Sequence, residues 1–154
     1  MNAKQVMFVK KYLPDATKAG ETTGLNPVVI LAQAAFESGW GTSKLAREHN
    51  NFFGLTGYGS PNEYWSGKRI PAGRPPCLLY FRSYTTPAES FLDFARLIRS
   101  CYYLAWSVSS KPEAYAHEIA YSPYIHEGNG DNRAVYKASL ISICRDIESI
   151  RALL

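Results

Sequence analysis

Long apolar runs are missing from this chain, and so are the ligand clusters and glycine loops that mark several enzyme classes. The longest aliphatic stretch, Val28 to Ala32, is far short of the roughly 20 residues a membrane span needs. The N-terminus begins Met-Asn-Ala-Lys, and Lys10 and Lys11 cut its apolar stretch, so no secretory leader and no stable membrane insertion are expected. Cysteine is scarce: Cys77, Cys101 and Cys144 are an odd, widely spaced set with no Cys-x-x-Cys. They read as reduced, mostly buried thiols, not as a disulfide framework or a zinc site. His49, His117 and His126 are scattered and form no His-Glu-x-x-His, so neither a metal nor another cofactor is expected. No Gly-x-Ser-x-Gly elbow, Ser-x-x-Lys or Walker loop occurs. A cysteine nucleophile served by His117 or His126 would lack any local signature.

Charge is also modest. Lys and Arg number 17 against 13 Asp and Glu, a net +4 over 154 residues. The densest basic cluster is Lys68, Arg69, Arg74 and Arg82, with no run of five like charges. An acidic partner is favoured weakly; a nucleic-acid binder would rest on charge alone, without a binding motif.

What the chain has in quantity is aromatic residues: 11 Tyr, 7 Phe and 3 Trp, 14% of the sequence. With 46% hydrophobic and 19% charged residues, the composition is that of a globular chain, read as one domain over 1–154. Val6, Val9, Leu13 and Ala16 place a helix over about 4–19, with Pro14 set to bend or split it. Asn26-Pro27 opens a second helix. Val28 to Glu37 is apolar on nearly every face except at Gln33 and Glu37, the pattern of a buried central helix, and Gly39 and Gly41 stop it. Thr86-Pro-Ala-Glu89 is a capping box for a helix to about Ser107. Ser110-Lys-Pro-Glu113 repeats the pattern for a helix to about Ala120. Asp131 caps a last helix striped by Tyr136, Leu140, Ile143, Ile147 and Ile150. Between 54 and 85 glycines and prolines break any helix, Leu78 to Tyr84 reads as a strand, and Glu63 to Ile70 as its partner. The expectation is an α+β fold, predominantly helical, with a small hairpin-and-loop lobe and a ligand cleft between the lobes.

Glu37 is the most informative residue. It ends the most apolar helix, one turn after Gln33 on the same face. Burial and the negative end of the helix dipole both disfavour its charged form, which suits a general acid at neutral pH. The alternative is a glutamate that merely marks where the buried helix emerges into solvent.

Glu37-Ser-Gly-Trp-Gly41, preceded by Leu31-Ala-Gln-Ala-Ala-Phe36 and followed by Asn50-Asn-Phe-Phe-Gly-Leu55, resembles the glucosaminidase family of peptidoglycan hydrolases, glycoside hydrolase family 73. Later segments are similar in the same order: Asn62-Glu-Tyr64, Tyr80-Phe-Arg-Ser-Tyr84, Ser90-Phe-Leu-Asp-Phe94 and Tyr121-Ser-Pro-Tyr124. The resemblance implies a lysozyme-like α-lobe with a small β-lobe, a glycan-binding cleft and an endo-β-N-acetylglucosaminidase acting on peptidoglycan glycan strands. A muramidase, a lytic transglycosylase or a non-catalytic glycan-binding module are the alternatives on the same fold. Glu37 is then the acid that protonates the glycosidic oxygen. Glu63 is the candidate second carboxylate, as base or electrostatic stabiliser, with Glu127 as fallback. Tyr121 matches the family tyrosine near the reacting sugar, although Tyr-Ser-Pro-Tyr lacks the acidic residue often found between the two tyrosines. Gln33, Asn51 and Phe53 are expected along the groove, Asn51 offering an amide to an N-acetyl group and Phe53 an apolar wall. Tyr58, Tyr64, Trp65 and Tyr124 are candidate sugar platforms; Trp40 and Phe52 belong to the core. A monomer is expected. Lacking a leader, such an enzyme would reach the wall by lysis, by phage delivery or by a specialised secretion route, with a phage or prophage lysin preferred.

Overall fold

The computed structural model describes residues 1–126 and 132–154, so Glu127 and Asp131 lie outside the described residues. Seven helices and one two-stranded sheet occur among these residues: α1 (Ala3–Thr23), α2 (Pro27–Ser38), α3 (Lys44–His49), β1 (Arg69–Ala72), β2 (Leu79–Arg82), α4 (Pro87–Cys101), α5 (Tyr103–Ser107), α6 (Pro112–Ala120) and α7 (Arg133–Leu153). None of the helices is long and apolar enough to cross a membrane.

The centre is α2. Val28 through Ala35 are all buried, and α2 packs on α1 and α7 while touching α4 and α6. Ile30 and Leu31 are fully enclosed, each contributing about 2 kcal/mol by leaving water. Asn26 caps this helix by accepting from the Val28 amide, and Pro27 occupies the first turn, where its missing N–H costs nothing. The helix stops at Gly39, whose φ of 58° is the left-handed conformation that glycine adopts without a Cβ clash. Gly41 comes so close to Phe8 that an added Cβ would sit 3.3 Å from its ring. The Gly39–Gly41 turn is thereby clamped onto α1.

Several elements differ from the sequence reading, each for a local reason. Pro14 does not split α1, which continues to Thr23. Its side chain is exposed, so the lost hydrogen bond faces water, while Phe8, Val9, Ala16 and Ala19 hold the opposite face in the core. The helix that opens at Thr86 does not reach Ser107 unbroken; Tyr102 leaves helical geometry at φ −131°, ψ 55°. The turn lets the Trp106 indole donate to the Thr23 carbonyl at the end of α1. Helix α6 begins after Lys111 without a side-chain cap, so Ser110 does not act as one. Asn132 caps α7 by accepting from the Val135 amide.

The small lobe is an antiparallel hairpin in the register Arg69–Arg82, Ile70–Phe81, Pro71–Tyr80 and Ala72–Leu79. Only the end of the expected Glu63–Ile70 strand pairs. Before it, Asn62 accepts from the Tyr64 and Trp65 amides, a side-chain turn that competes with strand pairing and drives the Trp65 ring inside.

One buried carboxylate gathers several of the ties between this lobe and the helical body. Asp93 of α4 is fully buried and accepts from Arg82 of β2 at 2.7 Å, from the Tyr84 hydroxyl, from Asn62 at 2.9 Å and from Arg96 at 3.0 Å. Arg82 also donates to the Thr56 and Tyr58 carbonyls and stacks 4.0 Å over Trp65. Burial would raise the Asp93 carboxyl, but the Tyr84 hydrogen bond and the Arg82 charge outweigh it and hold it below the ordinary carboxylate value. A folded-state value below the unfolded one gives stability that is full above about pH 4 and lost as pH falls through the folded value. Asp93→Asn strands the Arg82 guanidinium and is expected to cost about 3–5 kcal/mol at pH 7. Urea melts of both proteins check this, and the gap between them should narrow as the pH drops below 4.

Candidate active site

A cleft of about 550 Å³ opens between the hairpin lobe and the helical body. Phe36 and Glu37 enter it from α2, Phe53 to Thr56 from the loop before the hairpin, and Leu97 and Tyr102 from α4. Pro123 to His126 line the opposite side with Asn132, Val135 and Tyr136 at the start of α7. Hollows of similar or larger size lie between α3 and the hairpin and between α6 and α7, about 690 and 650 Å³. Neither contains Glu37. The second reaches Cys144, whose buried thiol is pushed up to about 12, so it is no thiolate nucleophile at neutral pH.

Glu37 sits in the last turn of α2 and its side chain is exposed. The burial expected for it does not occur: the helix is enclosed through Ala35 and surfaces at Phe36, which is 37% exposed. The carboxylate instead meets a tyrosine, accepting from the Tyr136 hydroxyl at 3.3 Å. That hydroxyl accepts in turn from the Gln33 amide at 3.1 Å, and the Gln33 carbonyl oxygen accepts from the Tyr115 hydroxyl. Gln33 and Tyr115 are fully buried and Tyr136 is 6% exposed. Burial raises the Tyr115, Tyr124 and Tyr136 hydroxyls well above the usual phenol value, and the Glu37 charge adds to the rise at Tyr124 and Tyr136. All three remain neutral hydrogen-bond donors at working pH.

The remaining sequence candidates divide. Phe53 lies in the cleft wall, stacked 4.0 Å on Phe94 and held edge-on by Phe91. Tyr124 also lines the cleft, its ring edge-on to Tyr102. The loop carrying it is pinned by Arg133, which donates to the Ala120 and Ser122 carbonyls. Gln33 is enclosed behind Glu37 and cannot touch a sugar. Asn51 is spent on the backbone: its amide donates to the Leu55 and Arg82 carbonyls and its oxygen accepts from the Phe53 and Leu55 amides. It fixes the loop that forms the cleft wall instead of offering an amide to an N-acetyl group. Trp65 is buried, donating to the Lys68 carbonyl, and is no platform.

Glu63 and Tyr64 stand on the bend before β1, outside the cleft lining; Glu63 is exposed and Tyr64 packs against the core. Tyr58 is 72% exposed on the same lobe. Tyr121 is half exposed, packs on the His117 ring and faces a separate hollow against Tyr103 and Leu104. Proline at 123 and the short link to Tyr124 turn the chain between the two tyrosines, so they face different hollows. Tyr136 is the residue that sequence reasoning assigned only to a core stripe; a tyrosine heading such a stripe was the available signal, because a buried phenol needs a partner. Tyr121→Phe is expected to keep activity within about twofold, as for a surface substitution. Tyr124→Ala should lower kcat/KM at least tenfold through loss of the cleft wall, about 1.4 kcal/mol of transition-state binding. Turbidity assays on purified sacculi, with melting temperatures as a fold control, separate the two.

Comparisons with known proteins identify the family and the fold. The Glucosaminidase family, described as mannosyl-glycoprotein endo-beta-N-acetylglucosaminidase, matches residues 13–149. The peptidoglycan hydrolase FlgJ of Pseudomonas aeruginosa is 26% identical over 160 aligned residues, covering 94% of this chain and 37% of that protein. A probable N-acetylmuramidase of Lactococcus lactis is 32% identical over 107 residues, 64% of this chain and 23% of the relative. The chain thus spans well under half the length of these two curated relatives. Among solved structures, the chain is 26% identical, with a TM-score of 0.69 and 96% of each chain covered, to one from a type VI secretion system effector–immunity complex of Pseudomonas protegens. With the match spanning nearly its whole length, this chain belongs to the Glucosaminidase family.

Proposed function

We propose that this glycoside hydrolase domain cuts the glycan strand of peptidoglycan as an endo-β-N-acetylglucosaminidase, with Glu37 delivering the proton to the leaving sugar oxygen. The observation that carries the reading is a carboxyl group standing in an interlobe cleft, backed by a neutral tyrosine donor. A glycosidic bond breaks when its oxygen is protonated as the ring carbon gains positive charge. Glu37 is within the cleft to do this, and Phe53, Tyr102 and Tyr124 supply faces against which sugar rings pack. The family to which the chain belongs and the FlgJ relative support the substrate class.

Glu37 is the one carboxylate among the described residues that line the cleft. The positive charge on the sugar is therefore met either by the substrate's own N-acetyl carbonyl or by a carboxylate brought in from the β-lobe, for which Glu63 is the candidate. Retention at the anomeric centre supports the first; inversion supports direct attack by a water that the second would activate. A muramidase is the second reading, supported by the Lactococcus lactis relative. Delivery by a specialised secretion route joins the proposal because this chain and one from the type VI secretion effector–immunity complex of Pseudomonas protegens cover 96% of each other.

Mass spectrometry of digested sacculi tests the reading. Reducing N-acetylglucosamine ends are expected; reducing N-acetylmuramic acid ends would establish the muramidase, and 1,6-anhydro ends a transglycosylase. Glu37→Gln should keep the fold and lower turnover by about 10³-fold or more, the scale of losing a catalytic acid. Near-normal hydrolysis by that variant overturns the assignment of the acid.

A further inference from the structure

The hydrogen bonds behind Glu37 have a fixed polarity. An amide has two unlike ends: its oxygen only accepts and its nitrogen only donates. The Tyr115 hydroxyl donates to Gln33 Oε1, which turns Nε2 toward Tyr136. The Tyr136 oxygen is thus occupied by the Gln33 donor, and its single proton is directed to Glu37 Oε1. The links come from three elements, α6, α2 and α7, and Tyr115, Gln33 and Tyr136 are all buried. Gln33 and Glu37 are one turn apart on α2, so the chain leaves that helix and returns to it.

From this geometry we propose that Tyr115, Gln33 and Tyr136 form a positioning network that keeps a donor on Glu37 Oε1 and so orients the acid. The inference rests on the assignment of Glu37 as the acid. A carboxyl whose one oxygen is held by a donor carries its proton more readily on the other. Protonation of Oε1 is thereby disfavoured, and the acid is held in one rotamer. After the proton passes to the glycosidic oxygen, the same Tyr136 bond strengthens onto the new carboxylate, because charge-assisted hydrogen bonds exceed neutral ones. The proton count closes when the attacking water loses a proton and the Glu37 carboxyl regains one; Tyr136 neither gains nor loses a proton. Among the described residues, the other titratable groups lining the cleft with the carboxylate are Tyr102 at the end of α4 and Tyr124 and His126 on the α6–α7 connection. None of them hydrogen-bonds to the Gln33 side chain, whose partners are Tyr115 and Tyr136, so substitutions along the network leave them in place.

Tyr136→Phe removes the donor and one atom only. Losing a donor to the carboxylate favours its protonated form, so the Glu37 titration should move up by about half a pH unit or more. The measurement is ¹³C NMR of glutamate side-chain carboxyls, with the Glu37 signal assigned by its absence in Glu37→Gln. The alkaline limb of the kcat/KM profile should move the same way, and kcat should fall about tenfold with KM nearly unchanged.

Gln33→Glu supplies an oxygen where the amide nitrogen stood. Tyr136 then donates inward to residue 33, and the same upward shift is expected although Tyr136 is intact. Tyr115→Phe frees the amide to turn and should give a smaller shift in the same direction, which serves if Gln33→Glu does not fold. A folded Tyr136→Phe protein whose Glu37 midpoint and alkaline limb stay where they are overturns the proposal, whatever its melting temperature. The NMR readout needs no turnover, and an active Glu37→Gln protein would instead overturn the assignment of the acid, so the two failures are distinct.

Discussion

The cleft exists because Asp93 holds two lobes together. A two-stranded hairpin has too little core of its own to stand alone in water, and this one gains its place from a buried ion pair across the lobe boundary. Arg82 reaches from β2 to Asp93 while also holding the Thr56 and Tyr58 carbonyls. Thr56 belongs to the cleft wall, so the same guanidinium that docks the lobe sets the shape of the groove. Burying an ion pair is costly, and replacing it with apolar side chains can be neutral or better for stability. What apolar contacts would not supply is direction. Four donor side chains around one carboxylate define a single orientation of the hairpin, and a groove built from two lobes depends on that orientation.

The second organising feature is the abrupt change of environment along α2. Residues 28–35 are buried on every side, and two residues later Glu37 is in solvent. The left-handed Gly39 and Trp40 let the chain turn away at once, without spending another helical turn at the surface. Gln33 stays inside and links through Tyr136 to the carboxylate outside. A rigid interior is thus coupled to a solvent-exposed acid by directional bonds in place of packing.

Much of this was legible in the residues. The apolar run of α2, the Thr86 capping box and the glycine-broken middle segment reported their elements because local propensity and tertiary packing agree there. The residues that sequence reasoning misplaced are those whose partners lie far along the chain. Asn51 looks like a polar groove residue until the backbone groups of Phe53, Leu55 and Arg82 use its hydrogen-bonding capacity. Trp65 looks like a sugar platform until Arg82 covers its ring. Tyr121 and Tyr124 are equivalent in a motif, yet Arg133 and Pro123 set the turn that sends them to different hollows. Asp93 carried a visible signal, an acid on the apolar face of α4, and such residues are almost never buried without a partner.

The exposure of Glu37 changes the account of its chemistry. Sequence reasoning placed the desolvation that favours a protonated acid in the free protein, through burial in α2. The structure instead leaves the carboxyl in an open cleft with one oxygen held by Tyr136. Under the proposed function, the glycan strand supplies what the helix does not: sugar rings packed between Phe53 and Tyr124 displace the water around Glu37 and lower the local dielectric. Desolvation then favours the neutral acid only when a substrate is present to receive the proton. The negative end of α2 acts in the same direction throughout. In such an arrangement the open cleft of the free protein is compatible with acid catalysis, because the low-dielectric environment is assembled by binding.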